Sequence, residues 1–327
     1  MDHFYHASMF GIPPVVCKSI CLLICSMMTS IPAMAQGGAG TTSFSFVNII
    51  PGARQAALGG AAVAINGDVN SLYWNPAGLA RLGGQNATVS YANYFQDVQS
   101  GLLGYARRLK GKQVVGLGLQ YLSFGTFRQT SSADPFGKQG RTFGASSVLL
   151  SLSYSRPVNN RLAIGLSVKA LHERIQDFSS SALALDVGTL VAIPAYRLTA
   201  ALVVQQAGFA VGTFVGGGSA PLPISIRVGL THALMHLPLV LSADFVKTRA
   251  VDPSAHLGGE FDIREILFLR VGYATSGADL RLESSDGPLT GFSGGMGLRS
   301  GAYSLDYSFT PAPRIGDVHR VTLTFRY

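Results

Sequence analysis

The residues best suited to chemistry are few, and they are badly placed for it. His232 and His236 stand four apart, a spacing that lets one helix face offer two imidazoles to a metal. Residues 232–236 read instead as a short turn beside Pro238, with no carboxylate close by, so no metal site is expected. Serine is abundant, and His172, His256 and His319 stand near strand ends. The one Gly-x-Ser-x-Gly match, Gly291-Phe292-Ser293-Gly294-Gly295, lies in a glycine-rich run that opens no helix, so it singles out no nucleophile. The glycine-rich stretches 216–218 and 291–297 open no helix that would cradle a phosphate. Cys17, Cys21 and Cys25, all the cysteines of the chain, fall within its first 25 residues, so thiol chemistry is not expected downstream of them. The expectation is a protein without a cofactor or a metal, and not an enzyme.

Those cysteines belong to a segment with the layout of an export leader. Residues 19–31 are apolar, Lys18 precedes them, and Ala33-Met34-Ala35 supplies a small-x-small cleavage site ahead of Gln36. The apolar run is shorter than the ~20 residues of a membrane-spanning helix. Ile24 before Cys25 argues against a lipoprotein signal. Residues 1–35 are therefore expected to be a cleaved signal peptide.

What must position the remaining residues is a sheet with two unlike faces. Charged residues make up only 13% of the chain and hydrophobic ones 47%, against about a quarter charged in soluble domains. Beyond the leader no long apolar run appears. The apolar residues are interleaved instead: Leu117, Leu119 and Tyr121 alternate with Gly116, Gly118 and Gln120, and Leu150, Leu152 and Tyr154 alternate with serines. Segments of this kind fall at 86–95, 99–109, 113–123, 144–155, 161–172, 181–193, 196–206, 222–231, 237–247, 255–264, 266–275, 290–299, 301–310 and 318–327. About fourteen strands of ~10 residues, greasy on one face and small or polar on the other, predict an all-β transmembrane antiparallel barrel. The connections agree. Alternate ones are short (Lys110-Gly111, 157–160, Pro194-Ala195, 232–236, Glu265, Ser300). Most of the others are longer and rich in Gly, Pro, Ser or Asp, among them 124–143, 173–180, 207–221 and 276–289. Short turns on one side and long loops on the other are the asymmetry of outer-membrane barrels.

The ends of the mature chain have separate jobs. Leu323, Phe325 and Tyr327 form a C-terminal aromatic signal expected to engage the barrel-assembly machinery. Residues 36–85 precede the barrel, taken as 86–327, and are too apolar to hang in the periplasm, so they are expected to plug its lumen. Arg54, Leu58, Gly59, Gly60, Trp74, Asn75 and Pro76 are the candidate plug residues, with Asn75-Pro76 shaping a turn. Lys169, Asp244, Glu260, Asp262, Arg264, Arg270 and Asp306 fall on inward positions, where they are expected to pair with one another and with Arg54. The net charge of +8 reads as scattered lumen and loop decoration, with outer-membrane lipid as the surroundings and nucleic acid excluded as a partner.

The plug residues also carry a family likeness. Phe46-Val47-Asn48-Ile49, Ala53-Arg54 with Ala57-Leu58-Gly59-Gly60, residues 68–71 and Trp74-Asn75-Pro76-Ala77-Gly78-Leu79 resemble the N-terminus of the PorV/PorQ proteins. Residues 256–273 are similar to a late hairpin of that family. The resemblance implies a component of type IX protein secretion or surface attachment, with secretion-system proteins and exported cargo bearing a C-terminal domain as partners. The Asn-Pro-Ala-Gly-Leu piece also resembles FadL-type barrels. Those imply transport of hydrophobic small molecules, the alternative function. A structural barrel with neither activity is a third reading.

Overall fold

The computed structural model describes residues 42–327, apart from 95–96, 131, 133, 137, 139, 213–220, 279–289 and 312–315. The leader expected over 1–35 lies outside these residues, as does the glycine run 216–218. Among the described residues no helix is long and apolar enough to cross a membrane. The chain crosses with strands.

Fourteen antiparallel strands close on themselves. They are β1 (Gln85–Asn93), β2 (Gln99–Arg108), β3 (Val114–Arg128), β4 (Thr142–Pro157), β5 (Leu162–Ile175), β6 (Phe178–Ile193), β7 (Leu198–Gly212), β8 (Ser225–Ala233), β9 (Leu239–Thr248), β10 (Ser254–Ile263), β11 (Leu267–Ala274), β12 (Phe292–Ser300), β13 (Tyr303–Thr310) and β14 (Val318–Arg326). Each pairs with its sequence neighbours, and β14 pairs with β1 from Asn86 opposite Arg326 to Asn93 opposite His319. Closure leaves no strand edge in hydrocarbon, where unpaired backbone groups would cost several kcal/mol each.

Alternation decides which face meets lipid. On β4, Leu152 is 59% exposed while Ser151 and Ser153 on either side are buried. Only a lipid-facing outer wall makes an exposed leucine beside a buried serine sensible. The serines and glycines of these strands therefore line the inside. The turns 109–113, 158–161, 194–197, 234–238, 264–266 and 301–302 gather at one end, with Gln85 and Tyr327. By the rule that short turns are periplasmic, this is the periplasmic end.

The wall is taller on one side. β3 to β7 have 14–16 residues each, whereas β1, β2 and β8 to β14 have 8–10. About ten tilted residues suffice for the bilayer's apolar band, so roughly five extra residues lift this side some 12 Å above it. The expected loop 173–180 is accordingly not a loop. β5 and β6 pair up to Ile175 opposite Phe178, leaving a two-residue turn in which Gln176 takes φ 54°. Toward its upper end the outer face of β5 changes from Ile164, Leu166 and Val168 to His172 and Arg174.

Residues 42–84 fill the lumen. The chain enters at the extracellular side, where the Ser43 N–H bonds the Pro221 carbonyl at 3.2 Å. It passes through a 3-10 turn (Ser45–Asn48), helix α1 (Ala53–Ala57), helix α2 (Ser71–Trp74) and a second 3-10 turn (Pro76–Arg81). It leaves at the periplasmic end, where Arg81 donates to the Asn160 carbonyl at 2.7 Å. Phe44, Leu58, Leu72, Leu79 and Leu82 are fully buried in this core.

Candidate functional site: the plug and its seat

The seat is cut from the wall by small residues. A side chain at Gly272 would strike the backbone of Leu58 and Gly59, one at Gly165 would strike Pro76 and Ala77, and one at Gly188 would strike the Asn75 side chain. Gly59 and Gly60 themselves take φ of 66° and 85°, the left-handed region open to glycine. The inward glycines of β5, β6 and β11 are thus the mould of the plug.

Polar groups of the wall then bind the plug's backbone. Asp244 of β9 accepts the N–H groups of Ala62 and Val63 through one oxygen, at 2.7 and 2.9 Å. Gln205 of β7 donates its amide to the carbonyls of Tyr73 and Trp74, which end α2, at 2.9 and 3.1 Å. His256 Nδ1 lies 2.6 Å from the Gly59 carbonyl. Asn75 works in both directions. Its Oδ1 caps the following 3-10 turn at Ala77 N (3.0 Å), and its Nδ2 donates to Val63 O of the plug and Thr189 O of β6 at 3.0 and 3.2 Å. Pro76 starts that turn, where a missing N–H costs nothing. Trp74 packs with the Arg227 guanidinium 5.3 Å from its ring centre.

One ionic chain joins plug to wall. Arg54 of α1 donates Nε and Nη2 to the two oxygens of Glu260 on β10 (2.8 and 2.7 Å) and Nη1 to Asp68 (3.0 Å). Glu260 also accepts from Arg270 Nε at 2.6 Å, and Arg270 Nη1 reaches Asp306 on β13 at 2.7 Å. Burial opposes the charge on Arg54 most strongly, but Glu260 and Asp68 more than offset it, so its pKa rises and the guanidinium stays charged. The fork-on-carboxylate geometry fixes orientation as well as energy.

Two of the expected inward charges lie elsewhere. Arg264 is exposed in the β10–β11 turn, where it and Glu265 take φ of 57° and 59°. β10 ends at Ile263, one residue sooner than the alternation suggested, and the left-handed turn swings the side chain out. Asp262 is half-buried at the same end and accepts the Glu265 N–H at 2.6 Å, holding the turn rather than the plug. Lys169 is buried and pairs at 2.5 Å with Asp186, a partner absent from the expected set. Leu185 and Val187 flank Asp186 and face lipid, so strand parity alone would have placed it inside. His232 is half-buried on β8 and His236 is exposed in the following turn. Leu323, Phe325 and Tyr327 end the outer face of β14, with Phe325 5.4 Å edge-on from Tyr303 and Tyr327 paired through its backbone to Gln85.

Little room remains beside Trp74. The cavity bounded by Ile49, Gln120, Lys169, Gln205 and Arg227 holds about 20 Å³, space for one or two waters. The seat as built holds a plug.

Fourteen strands, a lumen-filling N-terminal segment and a lipid-facing wall define a FadL-like outer-membrane barrel. Solved structures of this class align over most of the chain. The Ralstonia pickettii toluene transporter TbuX superposes with a TM-score of 0.62 at 14% identity, covering 85% of this chain and 98% of that one. The Pseudomonas putida toluene transporter TodX gives 0.59 at 13%, covering 84% and 96%. A Pseudomonas aeruginosa FadL homologue gives 0.55 at 12%, covering 85% and 99%. At such identities the likeness concerns the fold. Residues 33–193, just under half of the chain, match the family model described as type IX secretion system protein PorV. The match ends where β6 ends. No curated protein matches the chain.

Proposed function

We propose that this barrel handles exported proteins in type IX secretion or surface attachment, through protein contacts at its extracellular rim and without catalysis. The observation that carries this reading is the reach of the family match, which takes in the plug and β1–β6 and so most of the raised wall. A plug bonded to β5, β6, β7, β9 and β10 supports it, since such a seat favours a fixed filling over a hatch. In this account the cargo is an exported chain with a C-terminal domain, the barrel-assembly machinery inserts the protein, and a leader over residues 1–35 delivers it.

The FadL-like alternative requires a path through the lumen, which makes plug movement the test. Leu72 Cδ1 lies 3.1 Å from where a Cβ on Gly104 would stand, and no cysteine follows Cys25 in the chain. A Leu72→Cys/Gly104→Cys pair, oxidised after insertion, should tie α2 to β2 and leave surface display of cargo within about twofold of the reduced form. Loss of display on oxidation, restored by reductant, would count for a moving plug.

A further inference from the structure

Five of the chain's cations stand together on one arc of the periplasmic rim. The β2–β3 turn region carries Arg107, Lys110 and Lys112, and the β4–β5 turn region carries Arg156 and Arg161. The two turns are neighbours, because β3 pairs with β4 from Val114 opposite Ser155. All five side chains are exposed, and among the described residues none has a hydrogen-bond or ion-pair partner. No Asp or Glu occurs in residues 105–115 or 154–164. At the extracellular end acids stand near cations in sequence, Asp134 near Lys138, Asp177 near Arg174 and Asp252 near Arg249, with Arg128, Arg141 and Lys247 among them. Arg264 with Glu265 and Asp262 sits on the β10–β11 turn, seven strands away and so across the ring.

Position within the membrane tells what kind of partner fits. Tyr105 and Tyr154 stand on the lipid face, and Arg107 and Arg156 follow them two residues later on that same face, one step toward the periplasm. Aromatic rings mark the membrane–water boundary. The two guanidinium groups therefore sit at headgroup level and point sideways into the leaflet. Leu109 and Val158, at the tips beside the lysines and Arg161, are 41% and 47% exposed, as apolar anchors in an interface are. A soluble acidic protein docking along the barrel axis would call for charges aimed down that axis, whereas Arg107 and Arg156 lie on the lipid face.

We propose that this arc is a docking surface for anionic phospholipid headgroups of the periplasmic leaflet, whose phosphates the five cations bind together. The proposal stands independently of any role in secretion. Each lysine or arginine close to an anionic lipid surface adds to the attraction, and the effect fades with salt.

The test is native mass spectrometry of the folded full chain in mild detergent, titrated with phosphatidylglycerol or phosphatidylethanolamine. The natural protein should retain phosphatidylglycerol with at least about tenfold preference. The variant R107Q/K110Q/K112Q/R156Q/R161Q should bring that preference to within about twofold. A variant of the extracellular rim, R128Q/R141Q/R174Q, should keep it. Heat-modifiable migration checks that each variant is folded. If the five-site variant does not fold, raising the salt over the natural protein reads the same attraction, and the preference should fall steeply. Equal retention of the two lipids, or a preference that survives the five substitutions or the salt, overturns the proposal. So does an acidic periplasmic protein that co-purifies only with the intact arc while lipid preference is absent.

Discussion

Glu260 is the residue on which the plug's attachment turns. It takes two hydrogen bonds from Arg54 and one from Arg270, and its side chain is only 9% exposed. Glu260→Gln would leave two largely buried guanidinium groups facing a neutral amide, the loss of one partner that makes buried pairs expensive. The expected cost is about 3 kcal/mol of barrel stability, read as a lower urea midpoint in detergent with heat-modifiable migration as the signal. An unchanged midpoint would mean that the ionic chain does not hold the plug. These residues were partly legible in the sequence. The alternation in 255–263 placed Glu260 inward, and the same rule would have found Asp186. That Asn75 and Gln205 bond to main-chain carbonyls was not legible, because such contacts depend on where two distant backbones meet rather than on a local pattern.

At the scale of elements, the raised wall of β3 to β7 is the feature the sequence hid. Strand number, alternation and turn parity could all be read, since lipid outside and small residues inside force a period of two. Above the bilayer that force lapses. Residues 173–180 carry Glu173, Arg174, Asp177 and two serines and resemble a loop, although they form a continuous hairpin. If this wall receives exported protein, trimming it should damage function alone. Deleting residues 174–179 and rejoining β5 to β6 at bilayer height should leave insertion and thermal migration of the barrel unchanged. Cargo recovered by crosslinking at the cell surface should fall several-fold. Full crosslinking in a folded deletion would place the contact elsewhere on the rim.

The whole molecule has two unlike ends and a filled middle. Its lumen is occupied from the Pro221 contact at the top to the Asn160 contact at the base. Its extracellular end is lopsided in height, and its periplasmic end is lopsided in charge. The basic residues of the periplasmic turns were visible in the sequence, but their gathering into one arc depends on which turns are neighbours in a closed ring. A filled lumen beneath a raised rim fits a barrel that works on its partners from outside. The measurement closest to that claim is a mild-detergent pull-down of the tagged protein from native outer membranes, with co-purifying proteins and lipophilic molecules both identified by mass spectrometry. Exported proteins sharing a C-terminal domain, in near-stoichiometric amount, are the predicted result. A bound fatty acid or hydrocarbon with no protein partner would contradict it and make the barrel a transporter.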